Sequence, residues 1–209
     1  MDLSKPATAV VPSADADVLT VVAGTTRALT GREIQRLSGR SLQAVQNILK
    51  RMVAHGLLEV LEAGSAQLYR LNRDHVAADA AVALLDLRGR LFERIRQQLK
   101  QWPMPPAAAA VFGSAARGDG DPASDIDVLV VRPENVDETD RLWAGAVDDL
   151  ARSILSGSGN RASIIQVTPA QISDMMHRNE PIVASLRRDS VLLTDTSPLT
   201  TPERAGSER

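Results

Sequence analysis

Two short groups of residues in the second half of the sequence have the types and spacing that phosphate and metal chemistry require. The first is Gly113-Ser114, where glycine lets a phosphate approach the backbone closely and serine adds a hydroxyl donor. The second is Asp125-Ile126-Asp127, which opens an apolar run typical of a strand. Because residues two apart on a strand point to the same face, both carboxylates stand side by side. Such a pair of hard oxygen ligands suits Mg²⁺ that bridges nucleotide phosphates.

Regular elements are expected to hold both groups at the ends of strands. Residues 107–112 predict a short apolar strand that runs into Gly113. A helix is expected to begin there, so that its unpaired N–H groups face an anion. Arg117, one turn later, can reach the same anion. A second strand is predicted over 125–131, and the helices and strands that alternate after it, up to residue 193, favour an α/β or α+β layer.

The two groups together resemble the minimal nucleotidyltransferase branch of the DNA polymerase β superfamily. The pattern of that family is G-S-x-A-R-G, a short loop and S-D-I-D, and it stands here as residues 113–118 and 124–127. The resemblance covers about residues 107–167. It implies a mixed sheet in this domain, and the fold class predicted for the chain is α+β. The resemblance further implies binding of an NTP with Mg²⁺ or Mn²⁺ and transfer of NMP to an acceptor. In that family the protein acts largely by positioning and charge neutralisation.

The resemblance also assigns roles to residues of this sequence. It implies that Asp125 and Asp127 are metal ligands and act in catalysis together with Ser114. The phosphates of the nucleotide would be bound by Gly113, Ser114, Arg117 and Ser124.

The next predicted strand departs from the family pattern. Family members normally carry a third carboxylate there, which binds metal or activates the acceptor. Residues 161–167 contain no Asp or Glu, and Ser163 or Gln166 occupies the expected position. Two hypotheses therefore stay open. One is an enzyme that transfers NMP, for example to a protein partner, as antitoxins with similar domains do. The other is a DNA-binding transcriptional regulator whose degenerate domain only senses a nucleotide.

The first 72 residues predict three helices followed by a β-hairpin. Thr30 and Glu33 form a capping-box pattern, and Ser41 is placed to cap a third helix. Alternating apolar residues around Ala63-Gly64-Ser65 indicate the hairpin. This order resembles the winged helix-turn-helix of MarR- or ArsR-like bacterial regulators, and the resemblance implies DNA binding.

The helix after Ser41 is the predicted recognition helix, with Leu42 and Val45 expected to face the core. Residues 27–51 contain six basic residues and one acidic residue, a local charge of +5 in a chain whose net charge is −2. Such a patch is suited to phosphate contact, and Gln and Asn can pair with adenine. The residues predicted to contact DNA are Arg40, Gln43, Gln46, Asn47, Lys50 and Arg51.

Between these two parts, residues 73–103 predict one long connecting helix. Its apolar stripe includes Leu91, Ile95 and Leu99, which could also support a homodimer. The predicted organisation is then a winged helix-turn-helix over 1–72, the connecting helix over 73–103, a nucleotidyltransferase domain over 104–194 and a disordered tail over 195–209.

Composition excludes several other classes. The chain of 209 residues contains no cysteine, which rules out disulfides, cysteine zinc sites and thiol catalysis. We expect no secretion signal, since no basic segment precedes an apolar one at the start of the sequence. No apolar run reaches the ~20 residues that a membrane-spanning helix needs. A cytoplasmic protein without a membrane partner is therefore predicted.

Overall fold

The computed structural model describes residues 1–199, which form two compact units. The N-terminal unit comprises residues 4–87 together with Asp2. The C-terminal unit comprises residues 88–199 together with Met1 and Leu3. Within residues 1–199, no helix combines the length and the apolar character needed to cross a membrane.

The N-terminal unit consists of helices and a small antiparallel sheet. Its strand order is β1-β3-β2, and β2 and β3 form the predicted hairpin. The short strand β1, which the sequence did not predict, adds to β3. After a short 3-10 helix at Pro6–Ala9, the elements are α1 (Ser13–Ala23), β1 (Leu29–Thr30), α2 (Gly31–Ser38), α3 (Leu42–Ala54), β2 (Leu58–Ala63), β3 (Ala66–Leu71) and α4 (Ala78–Leu85).

Side-chain caps set the starts of α2 and α3. The Thr30 hydroxyl accepts from the N–H of Glu33, and the Glu33 carboxylate accepts from the N–H of Thr30 at 2.8 Å. The capping box is therefore confirmed. Ser41 accepts from the N–H of Ala44, as predicted. Val45 is buried, but Leu42 is 41% exposed because it lies in the first turn of α3, outside the buried stripe.

The predicted single connecting helix is wrong. The chain leaves helical geometry at Asp86, so that α4 ends at Leu85 and a new helix, α5 (Leu87–Lys100), follows. Periodicity did not reveal the break because both helices keep an apolar face. The stripe of Leu91, Ile95 and Leu99 is buried in the core of the C-terminal unit. It packs within the chain, and the homodimer prediction therefore loses the feature on which it rested.

The C-terminal unit is built around a mixed sheet, as predicted, which has four strands in the order β6-β5-β4-β7. β5 and β6 are parallel, whereas β4 pairs antiparallel with both β5 and β7. After α5, the elements are β4 (Ala108–Phe112), α6 (Gly113–Arg117), β5 (Ile126–Val131), α7 (Arg141–Ser158), β6 (Ala162–Val167), α8 (Pro169–His177), α9 (Pro181–Asp189) and β7 (Val191–Leu192).

Both faces of this sheet are covered. Ile126 and Val128 of β5 pack into a cluster with residues of α5 and α7. Leu129 and Val131 point to the other face and pack with Ile172 of α8 and other residues of α8 and α9. The central strand β5 is thus apolar on both faces along most of its length, and polar side chains are confined to its start.

The chain stays packed beyond residue 194. Leu199 contacts the apolar cluster beneath α8 and α9, and the Thr194 hydroxyl donates to the carbonyl of Thr196 at 2.9 Å. The predicted disordered tail is therefore wrong for residues 195–199, where Leu199 finds an apolar surface. The rest of that predicted tail, residues 200–209, lies outside the described residues.

Replacing the central core residue Leu129 should destabilise the C-terminal unit. Leu129 is completely buried in β5, so we expect Leu129→Ala to lower the free energy of unfolding by about 2–5 kcal/mol. Both tryptophans of the chain, Trp102 and Trp143, lie in this unit, so urea unfolding followed by tryptophan fluorescence reports on it alone. The control is Leu142→Ala, since Leu142 is 62% exposed. Equal losses in the two variants would contradict the prediction.

Candidate functional site

The backbone of Gly113 lies directly against the carboxylate of Asp127. In the antiparallel pairing of β4 with β5, Phe112 stands opposite Asp127, and Gly113 follows at the strand end. Gly113 has a φ of +69°, which favours glycine. A Cβ atom at this position would stand 2.6 Å from Oδ2 of Asp127. The backbone conformation therefore favours glycine, and a Cβ atom here would force the Asp127 carboxylate to move.

Asp125 and Asp127 are brought together at the start of β5. Asp125 is exposed and precedes the strand, whereas Asp127 is half-buried. Burial raises the pKa of the Asp127 carboxyl above its ordinary value. The nearby Ser163 hydroxyl lowers that pKa, Asp125 raises it and Arg117 lowers it. The pair is thus a region of concentrated negative charge that favours a cation.

Ser163 is the residue beside Asp127 on β6. The parallel register of β5 and β6 places Ser163 directly opposite Asp127, where its hydroxyl is close enough to lower the pKa of that carboxyl. Gln166 points to the other face of the sheet, where its side chain accepts from the indole N–H of Trp143 at 2.6 Å. Of the two candidates for the third position, the structure therefore selects Ser163, a neutral donor in place of a carboxylate.

Arg117 is held by two carboxylates. Its guanidinium contacts Asp119 at 2.9 Å and Asp189, at the end of α9, at 3.1 Å. The side chain of Asp189 is only 7% exposed, and it also pairs with Arg188 at 2.9 Å. Arg117 still lies close enough to Asp127 to lower the pKa of that acid. It therefore links α6 to α9 and adds positive potential beside the acid pair.

The two serines of the motif differ in their surroundings. Ser114 is half-buried on α6, and its hydroxyl lies close to Gly120. A Cβ atom at Gly120 would stand 3.2 Å from the Oγ of Ser114. The hydroxyl of Ser124 donates to Oδ1 of Asp121 at 2.8 Å and accepts from the N–H of Asp121 at 3.0 Å. Ser124 thus shapes the loop before β5, and its role in nucleotide binding, which the resemblance implies, stays a prediction.

Three residues of this region escaped the sequence analysis. Asp189 pairs with Arg117 across 72 positions. Arg88 of α5 packs its guanidinium against Gly118, where any side chain would overlap it. Asn160, before β6, donates to the loop that precedes Asp125. No local pattern marks these residues, since each acts on a segment far away in the chain.

The donor set fits one kind of metal site. Among residues 1–199, no group of three or more His, Asp or Glu side chains is arranged to hold a metal ion. Two adjacent carboxylates, however, are what Mg²⁺ uses when substrate phosphates complete its coordination. Asp125 and Asp127 therefore fit a metal that binds together with a nucleotide.

The predicted DNA-contacting residues of the N-terminal unit lie on α3 or just before it. Gln46 and Lys50 are exposed, and the side chain of Gln43 donates to that of Asn47 at 3.0 Å. Two of the predicted basic residues are engaged within the unit. Arg40 donates to Asp17 of α1 at 2.6 Å, and Arg51 forms an ion pair with Asp15 of α1.

The comparisons with known proteins bear on the C-terminal unit. Residues 92–172 match the family model described as "Nucleotidyltransferase domain". This part of the chain carries a nucleotidyltransferase-type domain. The matched segment runs from α5 into α8 and includes Gly113, Ser114 and both acids of the pair. No significant match to the chain was found among curated proteins or among solved structures.

The ionisation of Asp127 should lower the stability of the metal-free protein. Because its folded-state pKa is raised, the folded state binds this proton more tightly than the unfolded state does. The contribution of Asp127 to stability is therefore full below the ordinary carboxyl range and is lost as the pH rises through the raised pKa. We expect Asp127→Asn to melt at a higher temperature than the wild type at pH 7 in EDTA, with a smaller difference at pH 4.

The control for this measurement is Glu62→Gln, which removes the same charge from an exposed acid on the hairpin. Its melting temperature should differ from the wild type by the same small amount at both pH values. An Asp127→Asn protein that is no more stable than the wild type at pH 7 would show that the carboxylate carries no such cost.

Proposed function

We propose that the protein is a metal-dependent nucleotidyltransferase that transfers NMP from an NTP to an acceptor. The observation that carries this proposal is the juxtaposition of Gly113 with Asp125 and Asp127 within the nucleotidyltransferase-type domain. A pair of one exposed and one half-buried acid, beside a glycine whose backbone lies close to the second, suits a triphosphate with its cation. Mg²⁺ or Mn²⁺ would neutralise phosphate charge there.

The roles of the residues follow from their places. Asp125 and Asp127 would hold the cation, and Gly113 and Ser114 would face the phosphates. An oxygen of the acceptor attacks the α-phosphorus, the bond from that phosphorus to the bridging oxygen breaks, and pyrophosphate leaves. The protein then contributes mainly positioning and charge stabilisation.

Ser163 limits what the site can contribute to the acceptor. A serine hydroxyl beside Asp127 neither adds negative charge for the cation nor removes the proton of the acceptor. That proton would have to go to solvent or to a group on the acceptor. We therefore expect slow transfer. The acceptor class that the family resemblance implies is a protein partner, as in antitoxins, and the place of action that composition favours is the cytoplasm.

Transfer should depend on the acid pair. We expect the wild type to incorporate label from α-labelled NTP, tested with all four bases and Mg²⁺ or Mn²⁺, into a co-expressed protein partner. Asp125→Ala/Asp127→Ala should reduce incorporation by about 100-fold or more, because the metal supplies several kcal/mol of charge stabilisation. Ser163→Asp, which adds a carboxylate beside Asp127, should increase it.

The matched control is Asp148→Ala, an exposed acid of α7 that should leave incorporation unchanged. Incorporation by the wild type that does not exceed that of the double variant, with every NTP, would refute the transferase.

A second candidate function is that of a DNA-binding transcriptional regulator whose C-terminal unit senses a nucleotide without transferring it. Two observations favour it. β6 lacks a carboxylate, and α3 exposes Gln46 and Lys50 beside a hairpin, in a unit with the element order of a winged helix-turn-helix. The ion pairs of Arg40 and Arg51 leave Lys50 as the strongest candidate of this set for a phosphate contact.

DNA binding should be sensitive to salt and to α3. The binding is measured with DNA from the region upstream of the coding sequence. Affinity falls as salt rises, and we expect Lys50→Ala to make the slope of log affinity against log salt shallower by about 1, because one phosphate contact is lost. Gln46→Ala should reduce the preference for that DNA over unrelated DNA. Fluorescence anisotropy at several salt concentrations measures both effects. The control is Lys100→Ala, an exposed lysine of α5. A DNA affinity that does not change with salt concentration, or that neither α3 substitution changes, would exclude this role for α3.

A further inference from the structure

The loop between α6 and β5 is held from two directions by residues remote in sequence. Gly120 is buried, and its carbonyl accepts from the N–H of Leu3 at 2.8 Å. Leu3 itself is 1% exposed and belongs to the core of the C-terminal unit. The loop is therefore anchored at its middle, before the chain reaches the acid pair.

Asn160 provides the second anchor. Its side chain is buried between α7 and β6, with the residue 2% exposed. The amide nitrogen Nδ2 donates to the carbonyl oxygens of Ser124 at 3.0 Å, Asp121 at 3.3 Å and Pro122 at 3.4 Å. The amide oxygen Oδ1 accepts from the α-amino group of Met1 at 2.7 Å. Both ends of this amide are therefore used, and its donor end is directed entirely at the loop.

These bonds place Asp125 between two fixed points. On one side, the carbonyl of Ser124 is bound by Asn160. On the other side, the N–H of Ile126 donates to the carbonyl of Arg161, the residue after Asn160, at 2.8 Å. Asp125 is exposed, and among residues 1–199 no hydrogen bond to its own carboxylate defines its place. Its backbone is therefore held by Asn160 and Arg161, which follow each other at the start of β6.

We propose that Asn160 is a positioning residue that fixes Asp125 for cation binding. This inference rests on the proposed function. Burying a polar amide is favourable only when its groups are paired, and here the pairs cross 36 to 39 positions of the chain to reach one loop. A residue that only ended α7 would need no such bonds, since Gly159, with a φ of +78°, already provides the left-handed cap. Groups that orient metal ligands typically change metal affinity 10–100-fold when replaced.

The test uses the full chain with Mn²⁺ and ATP, and free Mn²⁺ is measured by electron paramagnetic resonance. Asn160→Asp keeps the shape of the side chain but replaces the donor with an oxygen that repels the three carbonyls. We expect it to weaken Mn²⁺ binding about tenfold. Asn160→Ser, which is smaller and keeps a hydroxyl donor, should weaken binding less and serves if the first variant does not fold. Melting curves in EDTA verify folding.

A double-mutant cycle separates positioning from general damage. If Asn160 acts through Asp125, then Asn160→Asp should change Mn²⁺ affinity little in an Asp125→Ala background. The matched control is Ser158→Ala, since this buried hydroxyl accepts from the N–H of Asn160 at 3.1 Å without touching the loop. Ser158→Ala should lower the melting temperature and leave Mn²⁺ affinity unchanged.

The outcomes are distinct. A wild type that binds Mn²⁺ and ATP with affinity that depends on Asp125, but equally well in Asn160→Asp, overturns the positioning role alone. Additive effects in the cycle, or an equal loss in Ser158→Ala, overturn it as well. A wild type without binding that depends on Asp125 overturns the proposed function and, with it, the role of Asn160.

Discussion

The register of β4 against β5 is the constraint on which the candidate site depends. Pairing Phe112 with Asp127 brings the next residue, Gly113, against the acid. The Asp127 carboxylate then lies where it would contact a Cβ atom at Gly113. A shift of one residue would turn Asp127 toward the opposite face and insert an apolar side chain in its place. Apolar residues on both faces of β5 prevent that shift, because Ile126 and Val128 fill one core while Leu129 and Val131 fill the other.

The negative charge of Asp125 and Asp127 is only partly compensated by the residues around them. Asp127 is half-buried, which disfavours its ionised form, and Asp125 adds to that cost. Arg117 offsets part of it, but its guanidinium is shared with Asp119 and Asp189. The nearby hydroxyl of Ser163 lowers the pKa of Asp127 and so offsets a further part without adding charge. A cation bound with a phosphate would relieve what remains, so the strain of two adjacent acids favours ligand binding.

Polar contacts between distant segments have different effects in the two units. In the N-terminal unit, ion pairs from α1 neutralise part of the basic patch that the sequence suggested, which leaves a polar rather than a strongly cationic face on α3. In the C-terminal unit, polar bonds across long stretches of chain hold one loop in place, through Leu3 and Asn160. Affinity for DNA would thus depend on few charges, whereas the acid pair depends on an anchored backbone.

The sequence by itself determined most of the regular elements and the main residues of the candidate site. Caps at Thr30 and Ser41, the hairpin and the strands around the acid pair follow from local patterns, because period, turn residues and capping act over a few positions. It did not reveal the break at Asp86, since apolar spacing continues across it, or the packing of Leu199. Only the tertiary structure placed Ser163 rather than Gln166 beside Asp127, tied Arg117 to Asp189 and directed Asn160 at the loop. These are contacts between segments far apart in the chain, and such contacts depend on strand register and burial, which no local pattern records.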